Sequence, residues 1–215
     1  MEPMIPKARP LPNGLVIMFE GLDGTGKTTQ IDLLSKALEE AGWTVLVTRN
    51  LGGTPIGEAL REVIMSPLLK RPPLTDFYTS LAIQEPLFEV IDTARQQGKI
   101  VLMDRGPLSL AAYQIYGGGV EATLGWRHVE RGMSRIKPDA TILYDMDPQA
   151  ALERNRQHPE KTSYFESQPL DYFQKVADGF RTAAERYPAV KTVDAAQDIP
   201  TIHEQTVSII TPLLS

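Results

Sequence analysis

A glycine-rich segment near the start of the chain has the residue types and spacing of a phosphate-binding loop. Residues 21–28 read GLDGTGKT and match the pattern G-x-x-x-x-G-K-[ST] at every fixed position. The glycines let successive backbone N–H groups point inward at phosphate oxygens, and the N-terminus of a following helix adds partial positive charge. We expect Lys27 to reach the β- and γ-phosphates of a bound nucleotide and the Thr28 hydroxyl to hold Mg²⁺.

The pattern carries this meaning only between a strand and a helix, and the sequence predicts both elements. Residues 15–19, LVIMF, form a short apolar run typical of a buried parallel strand. In residues 29–41 the apolar positions Ile31, Leu34 and Leu38 are spaced by three and four, which predicts an amphipathic helix. A glycine-rich turn without a ligand is the alternative, and the two correct flanks disfavour it.

The composition limits the classes of protein to which the chain can belong. Its 215 residues are 42% hydrophobic and 23% charged, as expected for one soluble α/β domain. The net charge of −5 argues against a general nucleic-acid binder. The absence of cysteine excludes disulfides, thiolate catalysis and cysteine-ligated zinc. The three histidines, at positions 128, 158 and 203, show no metal-ligand spacing.

Residues 1–13 contain four prolines and no apolar stretch, so we expect a poorly ordered tail rather than a signal peptide. No later segment approaches the ~20 apolar residues of a membrane span. We therefore expect a cytoplasmic protein without a membrane partner.

Five short apolar runs alternate with helical patterns, and they are Leu15–Glu20, Thr44–Arg49, Ile100–Asp104, Thr141–Asp145 and Val190–Asp194. This alternation predicts a parallel sheet covered by helices on both faces. Ligands of such sheets bind at the carboxyl ends of the strands. That rule brings five charged residues to one rim: Asp23, Arg49, Asp104, Arg105 and Asp145.

Two of these charged positions suggest specific chemistry. Asp104 can order the water shell of a metal beside the phosphate loop, and Arg105 can bind a second phosphate group through its forked donors. The alternative, a charged exit from a strand, is disfavoured only because residues 21–28 are present. After the second predicted strand, Thr54 and Pro55 predict the start of a helix. Helix capping does not explain Arg49, which ends that strand.

Polar residues after the third predicted strand suggest a nucleoside pocket. Ser109, Tyr113 and Gln114 fall near one helical face, where an amide can pair with a base edge and a ring can pack on a sugar. A polar helix surface fits the same spacing. Two further features are open to a structural explanation: the arginines at 127, 131 and 135 fit a solvated helix face, and residues 153–168 fit either a mobile lid or a surface loop.

The assembled motifs resemble the bacterial thymidylate kinases, which belong to the nucleoside monophosphate kinase group. The resemblance extends from Leu15 to about Ser208 in the family's order and spacing. It rests on residues 19–30, FEGLDGTGKTTQ; residues 48–49 and 52–58, TR and GGTPIGE; Asp104 and Arg105 with Ser109; residues 112–114, AYQ; Pro138 and Asp139; residues 170–173, LDYF; and residues 193–195, VDA. The ordered set is specific, although a phosphate loop alone would be a weak match.

The resemblance implies a three-layer α/β fold of the P-loop type, with a five-stranded parallel sheet in one kinase domain over 14–215 and a short lid at about 153–168. It implies ATP with Mg²⁺ as donor, dTMP as acceptor and a homodimer. The implied donor-binding residues are Gly21, Leu22, Asp23, Gly24, Thr25, Gly26, Lys27, Thr28, Thr29 and Ala195. The implied metal site is formed by Thr28 and Asp104.

On the acceptor side, the resemblance implies that Asp23 meets the sugar 3′-hydroxyl and that Arg49 and Arg105 bind the phosphate. The implied nucleoside pocket consists of Tyr78, Gln84, Ser109, Tyr113 and Gln114. Gly24 stands where some relatives carry a loop arginine. Besides Lys27 and Arg105, the expected catalytic cations therefore come from the lid: Arg154, Arg156 and Lys161.

The chain also departs from the family pattern. Asn50 replaces the usual glutamate, Gly106 and Pro107 follow Asp104-Arg105, and Ser163-Tyr164 replaces an Asp-Arg pair in the lid. Tyr78 or Thr79 aligns with the base-stacking aromatic, and Ile83 or Gln84 aligns with the base-reading arginine. We expect phosphoryl transfer to dTMP. A kinase with a different acceptor and a nucleotide-binding homologue with little turnover remain as alternatives, whereas a motor or partition NTPase would leave the acceptor-side residues without a role.

Overall fold

Five parallel strands form the centre of the protein, in the order β2-β3-β1-β4-β5. The computed structural model describes residues 5–157, 164–165 and 168–215. The strands are β1 (Leu15–Gly21), β2 (Val45–Arg49), β3 (Ile100–Asp104), β4 (Ala140–Asp145) and β5 (Val190–Asp194). All five predicted strands are confirmed, with bounds that differ by no more than one residue.

Helices connect the strands and cover both faces of the sheet, which confirms the predicted three-layer α/β fold. In the described part of the chain the α-helices are α1 (Lys27–Glu40), α2 (Pro55–Met65), α3 (Pro73–Gln96), α4 (Pro107–Leu110), α5 (Ala122–Ile136), α6 (Pro148–Arg156), α7 (Leu170–Arg186) and α8 (Ile199–Ile210). A π-helix, Ala111–Gly117, continues from α4, and a 3-10 helix, Thr211–Leu214, follows α8. No described helix is long and apolar enough to span a membrane.

The central strand explains why the sheet forms where the sequence is most apolar. Val16, Ile17, Met18 and Phe19 are all 0% exposed. Ile17 and Phe19 pack into one core cluster, whereas Val16 and Met18 pack into another. Because successive side chains of a strand point to opposite faces, β1 contributes to both apolar layers.

The N-terminal segment, for which we predicted a poorly ordered tail, contacts the domain. The Ala8 N–H donates to the Ala41 carbonyl at 2.9 Å, and the Trp43 indole N–H donates to the Pro6 carbonyl at 2.8 Å. Ile5 and Leu11 pack against the core. This segment therefore lies against the end of α1, and at Asn13 it reaches α3, where the Arg95 Nε donates to the Asn13 carbonyl at 3.3 Å.

The strand order divides the rim of the sheet into two sides. β1, which leads into residues 21–28, lies between β3 and β4. Asp104 ends β3 and Arg105 follows it on one side, next to Arg49 at the end of β2. Asp145 ends β4, and Ala195 follows β5, on the other side. The phosphate loop thus stands between two groups of predicted site residues.

Candidate active site

The loop between β1 and α1 has the backbone conformation that its glycines permit. Gly24 and Gly26 have φ angles of 86° and 84°, in the left-handed region that favours glycine. A Cβ atom at Gly24 would also collide with the Ala151 carbonyl of α6. An arginine side chain at position 24 is therefore sterically excluded, because α6 packs directly on the loop.

α1 begins at the end of this loop without a side chain that caps it. Its N-cap is Gly26, which has no side chain to accept from the first backbone N–H groups. These N–H groups and the positive end of the helix are suited to an anion. The helix starts two residues earlier than predicted, at Lys27.

Lys27 folds back over the loop. Its Nζ donates to the Leu22 carbonyl at 2.7 Å, and the side chain is buried. Burial lowers the pKa of Lys27 to about 8, and the nearby charge of Arg105 acts in the same direction against Asp23. A phosphate anion would oppose both effects, so this ammonium is arranged to gain from an anionic ligand.

A buried carboxylate oxygen lies beside the loop without a partner. Oδ1 of Asp104 has no hydrogen-bond partner, and the Thr28 hydroxyl belongs to an exposed residue. No cluster of three or more acidic or histidine side chains forms within the described residues. The carboxylate oxygen of Asp104 and the hydroxyl oxygen of Thr28 are ligands that fit Mg²⁺, which takes few protein ligands and completes its coordination with water and phosphate oxygens.

Arg105 is the centre of a polar cluster on the β3 side of the loop. Its Nη2 lies 2.6 Å from Oδ1 of Asp23, and its Nη1 donates to the Gly21 carbonyl at 2.8 Å. Nη1 also donates to the Ser109 Oγ at 3.3 Å, and Nη2 to the Tyr113 hydroxyl at 3.2 Å. The guanidinium carbon lies 5.0 Å from the centre of the Tyr113 ring.

The charges of this cluster shift the pKa of its members in opposite directions. Partial burial raises the pKa of Asp23, but the charges of Arg105 and Lys27 outweigh it and lower the pKa to about 2. Burial raises the pKa of the Tyr113 hydroxyl well above its ordinary value. At neutral pH the cluster therefore holds an ionised carboxylate beside a neutral phenol.

A cavity of about 80 Å³ adjoins the cluster. Its charged end is formed by Asp23, Arg61 and Arg105, and its polar wall by Asn50, Ser80, Ser109, Tyr113 and Gln114. The apolar wall consists of Leu51, Met65, Leu110 and Phe165. A charged end, a neutral polar wall and an apolar wall are the features of a pocket for a small molecule with an anionic group.

The structure brings together five of the predicted acceptor residues, and three others lie apart. Asp23, Arg105, Ser109, Tyr113 and Gln114 all line the cavity. Arg49 is instead paired with Glu58 at 2.6 Å, with about half of its side chain exposed. Tyr78 is 53% exposed, and the buried Gln84 faces Gly132 of α5.

The positions of Tyr78 and Gln84 follow from the orientation of α3. Ser80, which lines the cavity, lies two residues after Tyr78, and two residues turn a helix by more than half of a full rotation. Ile83 and Gln84, the two residues that align with the base-reading arginine of the family, are both buried. Among the described residues, the cations that line the cavity are Arg61 and Arg105, both at its charged end.

Of the predicted lid cations, Arg154 is held on the donor side. Its Nη1 donates to the Ala195 carbonyl at 3.0 Å, so α6 is tied to the loop after β5. Arg156 is an exposed residue at the last position of α6, and Lys161 lies outside the described residues. Phe165, also in the predicted lid, packs edge-on against the Tyr113 ring, with 5.7 Å between the ring centroids.

Two charged residues near the loop were missed by the sequence analysis, although each had a signal. Arg61 shares a face of α2 with the buried Gly57 and Ile64, spaced by four and three, and a cation on a buried helix face is unusual. Glu20 is an acid within an otherwise apolar buried strand. In both cases a charge interrupts a pattern that predicts burial.

The basic stripe on α5 is structural, which agrees with the interpretation as a solvated helix face. Arg131 makes two bonds of 2.7 Å to Glu85 of α3, and Arg135 makes two bonds to Asp92. These side chains are about half exposed, so each pair contributes little to stability.

Comparison with known proteins gives consistent results. A family model described as thymidylate kinase matches residues 19–206. A thymidylate kinase of Pelotomaculum thermopropionicum is 33% identical over 193 residues, covering 88% of this chain and 89% of the relative. A thymidylate kinase of Thermomicrobium roseum is 37% identical over 174 residues, covering 80% and 82%. The crystal structure of thymidylate kinase from Ehrlichia chaffeensis superposes with a TM-score of 0.73 at 27% identity, covering 93% of this chain and 99% of that one.

Proposed function

The chain belongs to the thymidylate kinase family, and we propose that it transfers the γ-phosphoryl group of ATP to dTMP, forming dTDP in deoxynucleotide biosynthesis. One contact carries the proposal at the level of the site. Arg105 lines the cavity and donates to the carbonyl of Gly21, the first residue of the phosphate loop, at 2.8 Å. A phosphate at the charged end of the cavity therefore lies next to a triphosphate in the loop.

On the acceptor side, we assign the dTMP phosphate to Arg105 and Arg61. Both line the charged end of the cavity, and burial together with the charge of Arg49 lowers the pKa of Arg61. An anion between these guanidinium groups would relieve their mutual repulsion. Arg49, which is paired with Glu58, adds positive charge near this end of the cavity. The ionised Asp23 accepts the sugar 3′-hydroxyl.

The neutral wall of the cavity suits the nucleoside. Gln114 can donate to and accept from a base edge, and its Nε2 lies 3.5 Å from the Ser80 Oγ. Tyr113 provides a ring face for the sugar, and Ser109 a hydroxyl. On the donor side, Ala195 borders the adenine with Arg154 held against it.

The chemistry requires alignment and charge neutralisation rather than covalent catalysis. The loop N–H groups and Lys27 bind the β- and γ-phosphates, and the acceptor phosphate oxygen attacks the γ-phosphorus in line with the departing oxygen. Lys27, Arg105 and the lid cations Arg156 and Lys161 stabilise the charge of the transferred group. When bound, Mg²⁺ supplies further charge neutralisation between the phosphates, and Thr28 and the unpartnered Asp104 would hold it and its water shell.

The substitution Lys27→Ala tests the proposed transfer. We expect kcat for ADP formation from ATP and dTMP to fall by about 10²–10³-fold, because a donor aimed at transition-state charge is lost. Lys36→Ala, which removes an exposed lysine from the same helix, is the matched control. Equal turnover of the Lys27→Ala variant and the wild type would contradict the proposal.

A second candidate function is a kinase for another pyrimidine nucleotide. It is favoured by the neutral Ser80 and Gln114 at the base end and by the burial of Ile83. A panel of dTMP, dUMP, dCMP, dAMP and dGMP with ATP separates the two candidates. A kcat/KM at least tenfold higher for dTMP would exclude the second one, and ATP binding without transfer to any acceptor would support the low-turnover alternative.

We also propose a cytoplasmic homodimer formed through α2 and α3. These helices and their connection expose several large apolar side chains, among them Ile56 (58%), Leu68 (89%) and Tyr78 (53%). Sedimentation velocity of Leu68→Glu, with Leu33→Glu on α1 as the control, tests this assembly. A wild-type monomer would contradict it.

A further inference from the structure

The central strand contains a fully buried carboxylate that the proposed mechanism does not use. Glu20 is 0% exposed and follows four apolar residues of β1 that are equally buried. Burial raises the pKa of this carboxyl, although hydrogen bonds and the charge of Arg105 act against it, because burial of a charge is unfavourable. The side chain therefore requires an explanation beyond the packing of the sheet.

Within the described residues, the side-chain hydrogen bonds of Glu20 all go to the turn that follows β3. Oε1 accepts the backbone N–H groups of Gly106 at 2.9 Å and Ser109 at 3.3 Å. Oε2 accepts the Ser109 hydroxyl at 2.5 Å. A single carboxylate thus binds three donors of residues 106–109.

This turn contains an unfavourable backbone conformation. Arg105 has a φ angle of 65°, in the left-handed region that non-glycine residues rarely adopt. Such a residue costs on the order of 1 kcal/mol and persists only where its surroundings determine it. The Arg105 N–H donates to the Phe19 carbonyl at 2.8 Å, and the next N–H, of Gly106, donates to Glu20.

We propose that Glu20 is a positioning residue for the acceptor site. By binding residues 106–109 from inside the core, it holds Arg105 in the left-handed conformation and directs the guanidinium and the Ser109 hydroxyl into the cavity. The proposal rests on the proposed function only in that the acceptor phosphate binds at this end of the cavity.

Glu20→Gln tests the proposal with little change of volume. The amide keeps one acceptor oxygen but presents an NH₂ group, a donor, to the Ser109 hydroxyl that the carboxylate accepts. We expect the KM for dTMP to rise about tenfold and kcat to fall about tenfold, each equivalent to the loss of one charge-assisted hydrogen bond. The KM for ATP should stay within about twofold, because Glu20 bonds to no loop residue in the described contacts.

A matched control separates positioning from general stability. Thr206 is also 0% exposed, and its hydroxyl bonds to that of Tyr144 at 2.7 Å on the far side of β4. Thr206→Val should lower the melting temperature without a selective effect on dTMP. If Glu20→Gln changes both KM values equally, or changes only the melting temperature, Glu20 is merely structural and the proposal fails.

A double-mutant cycle gives an independent outcome. Ser109→Ala removes one of the three donors, so its effect and that of Glu20→Gln on kcat/KM for dTMP should combine to less than their product. Independent, multiplicative effects would overturn the proposal. If Glu20→Gln does not fold, Glu20→Asp, which keeps the charge and shortens the side chain by one methylene group, takes its place, and the selective rise in the KM for dTMP must appear in that variant. If the wild type transfers phosphate to another acceptor, only the proposed substrate is rejected, and the effect of Glu20→Gln is then measured on the KM for that acceptor. If calorimetry shows that the wild type binds no acceptor, both proposals are rejected.

Discussion

Two nearly buried arginines in this protein have the same kinds of partners and different uses. Arg105 and Arg71 each pair with an aspartate, Asp23 at 2.6 Å and Asp76 at 2.5 Å. Each also lies over a tyrosine ring, with centroid distances of 5.0 Å and 4.5 Å. Only 14% of the Arg105 side chain and 6% of the Arg71 side chain are exposed.

The remaining hydrogen bonds distinguish the two arginines. Arg71 donates to four backbone carbonyls at and after the C-terminal end of α2, those of Val63, Ile64, Ser66 and Leu69. Val63 and Ile64 belong to the last turn of α2, where carbonyls lack partners within the helix, and Ser66 and Leu69 follow the helix. Arg105 has one backbone partner, Gly21, and otherwise donates to side chains of the cavity.

The difference shows how the same pair of charges can serve stability or binding. Arg71 donates mainly to backbone carbonyls, whose positions are fixed by the fold, so its bonds contribute to the structure. The partners of Arg105 are side chains that a phosphate can replace, and Asp23 is 38% exposed. Arg105 also keeps a strained backbone, which fits a functional residue.

Replacement of Arg71 should have the largest effect, and on stability alone. Arg71→Met keeps the volume of the side chain but leaves Asp76 and the carbonyls unpaired, which should cost about 3–5 kcal/mol of unfolding free energy. Urea denaturation measures this loss, with Lys70→Met as the exposed control. Well below the melting temperature, kcat should stay within about threefold of wild type. A loss of activity without a loss of stability would assign Arg71 to the site.

Replacement of Arg105 should give the reverse result. Arg105→Lys keeps the charge but loses the fork of donors, and we expect kcat/KM for dTMP to fall by about 10²–10³-fold, equivalent to about 3–4 kcal/mol. The unfolding free energy should change by less than about 1 kcal/mol, because the pair with Asp23 is partly exposed to water. Arg127→Lys on the surface of α5 is the control. A large loss of stability in Arg105→Lys would remove the contrast with Arg71.

The sequence predicted a role in binding for Arg105 and none for Arg71, for a physical reason. Arg105 follows a strand at the carboxyl end of the sheet, where topology alone concentrates ligand-binding groups. Arg71 caps a helix through a loop whose path depends on the packing of α2 against α3, and no motif records that path. β1, β3 and β4 were predictable because buried parallel strands are apolar runs, and the less buried edge strands β2 and β5 because they are rich in β-branched residues.

The cavity was less predictable than the phosphate loop because its walls come from distant segments. Residues 21–28 form one continuous motif. The cavity combines Arg61 of α2, Ser80 of α3 and Phe165 of the lid region. Tyr78 and Gln84 were predicted as contacts from an alignment, and of the residues of α3 it is Ser80 that lines the cavity.

Asp23 and Asp76, the partners of Arg105 and Arg71, should contribute to stability with opposite dependence on pH. The charges of Arg105 and Lys27 outweigh partial burial and lower the pKa of Asp23 to about 2, from 3.8 in the unfolded chain. Its stabilising contribution is therefore complete above pH 3.8 and is lost as the pH falls toward 2. Burial raises the pKa of Asp76 above 3.8 despite its pair with Arg71, so the contribution of Asp76 grows as the pH falls through that folded-state pKa.

Urea denaturation between pH 5 and pH 2 tests this contrast. Asp23→Asn should reduce the acid-induced loss of unfolding free energy, because the carboxylate whose protonation destabilises the fold is gone. Asp76→Asn should increase that loss. The same sign of change in both variants would contradict the assignment of the two pairs to different electrostatic environments.

The smallest expected effect concerns the hydroxyl group of the tyrosine beneath Arg105. The Tyr113 hydroxyl lies 3.2 Å from Nη2 of Arg105 and 3.4 Å from Oδ2 of Asp23, and both bonds are long. Tyr113→Phe keeps the ring beneath the guanidinium and removes only these bonds, so the KM for dTMP should rise about two- to tenfold, equivalent to about 0.5–1.5 kcal/mol. Because the ring still packs against Phe165, the unfolding free energy should stay close to that of wild type. Tyr116→Phe, in the same π-helix but outside the cavity lining, is the control, and equal KM values for the two variants would show that Arg105 is oriented without the phenol.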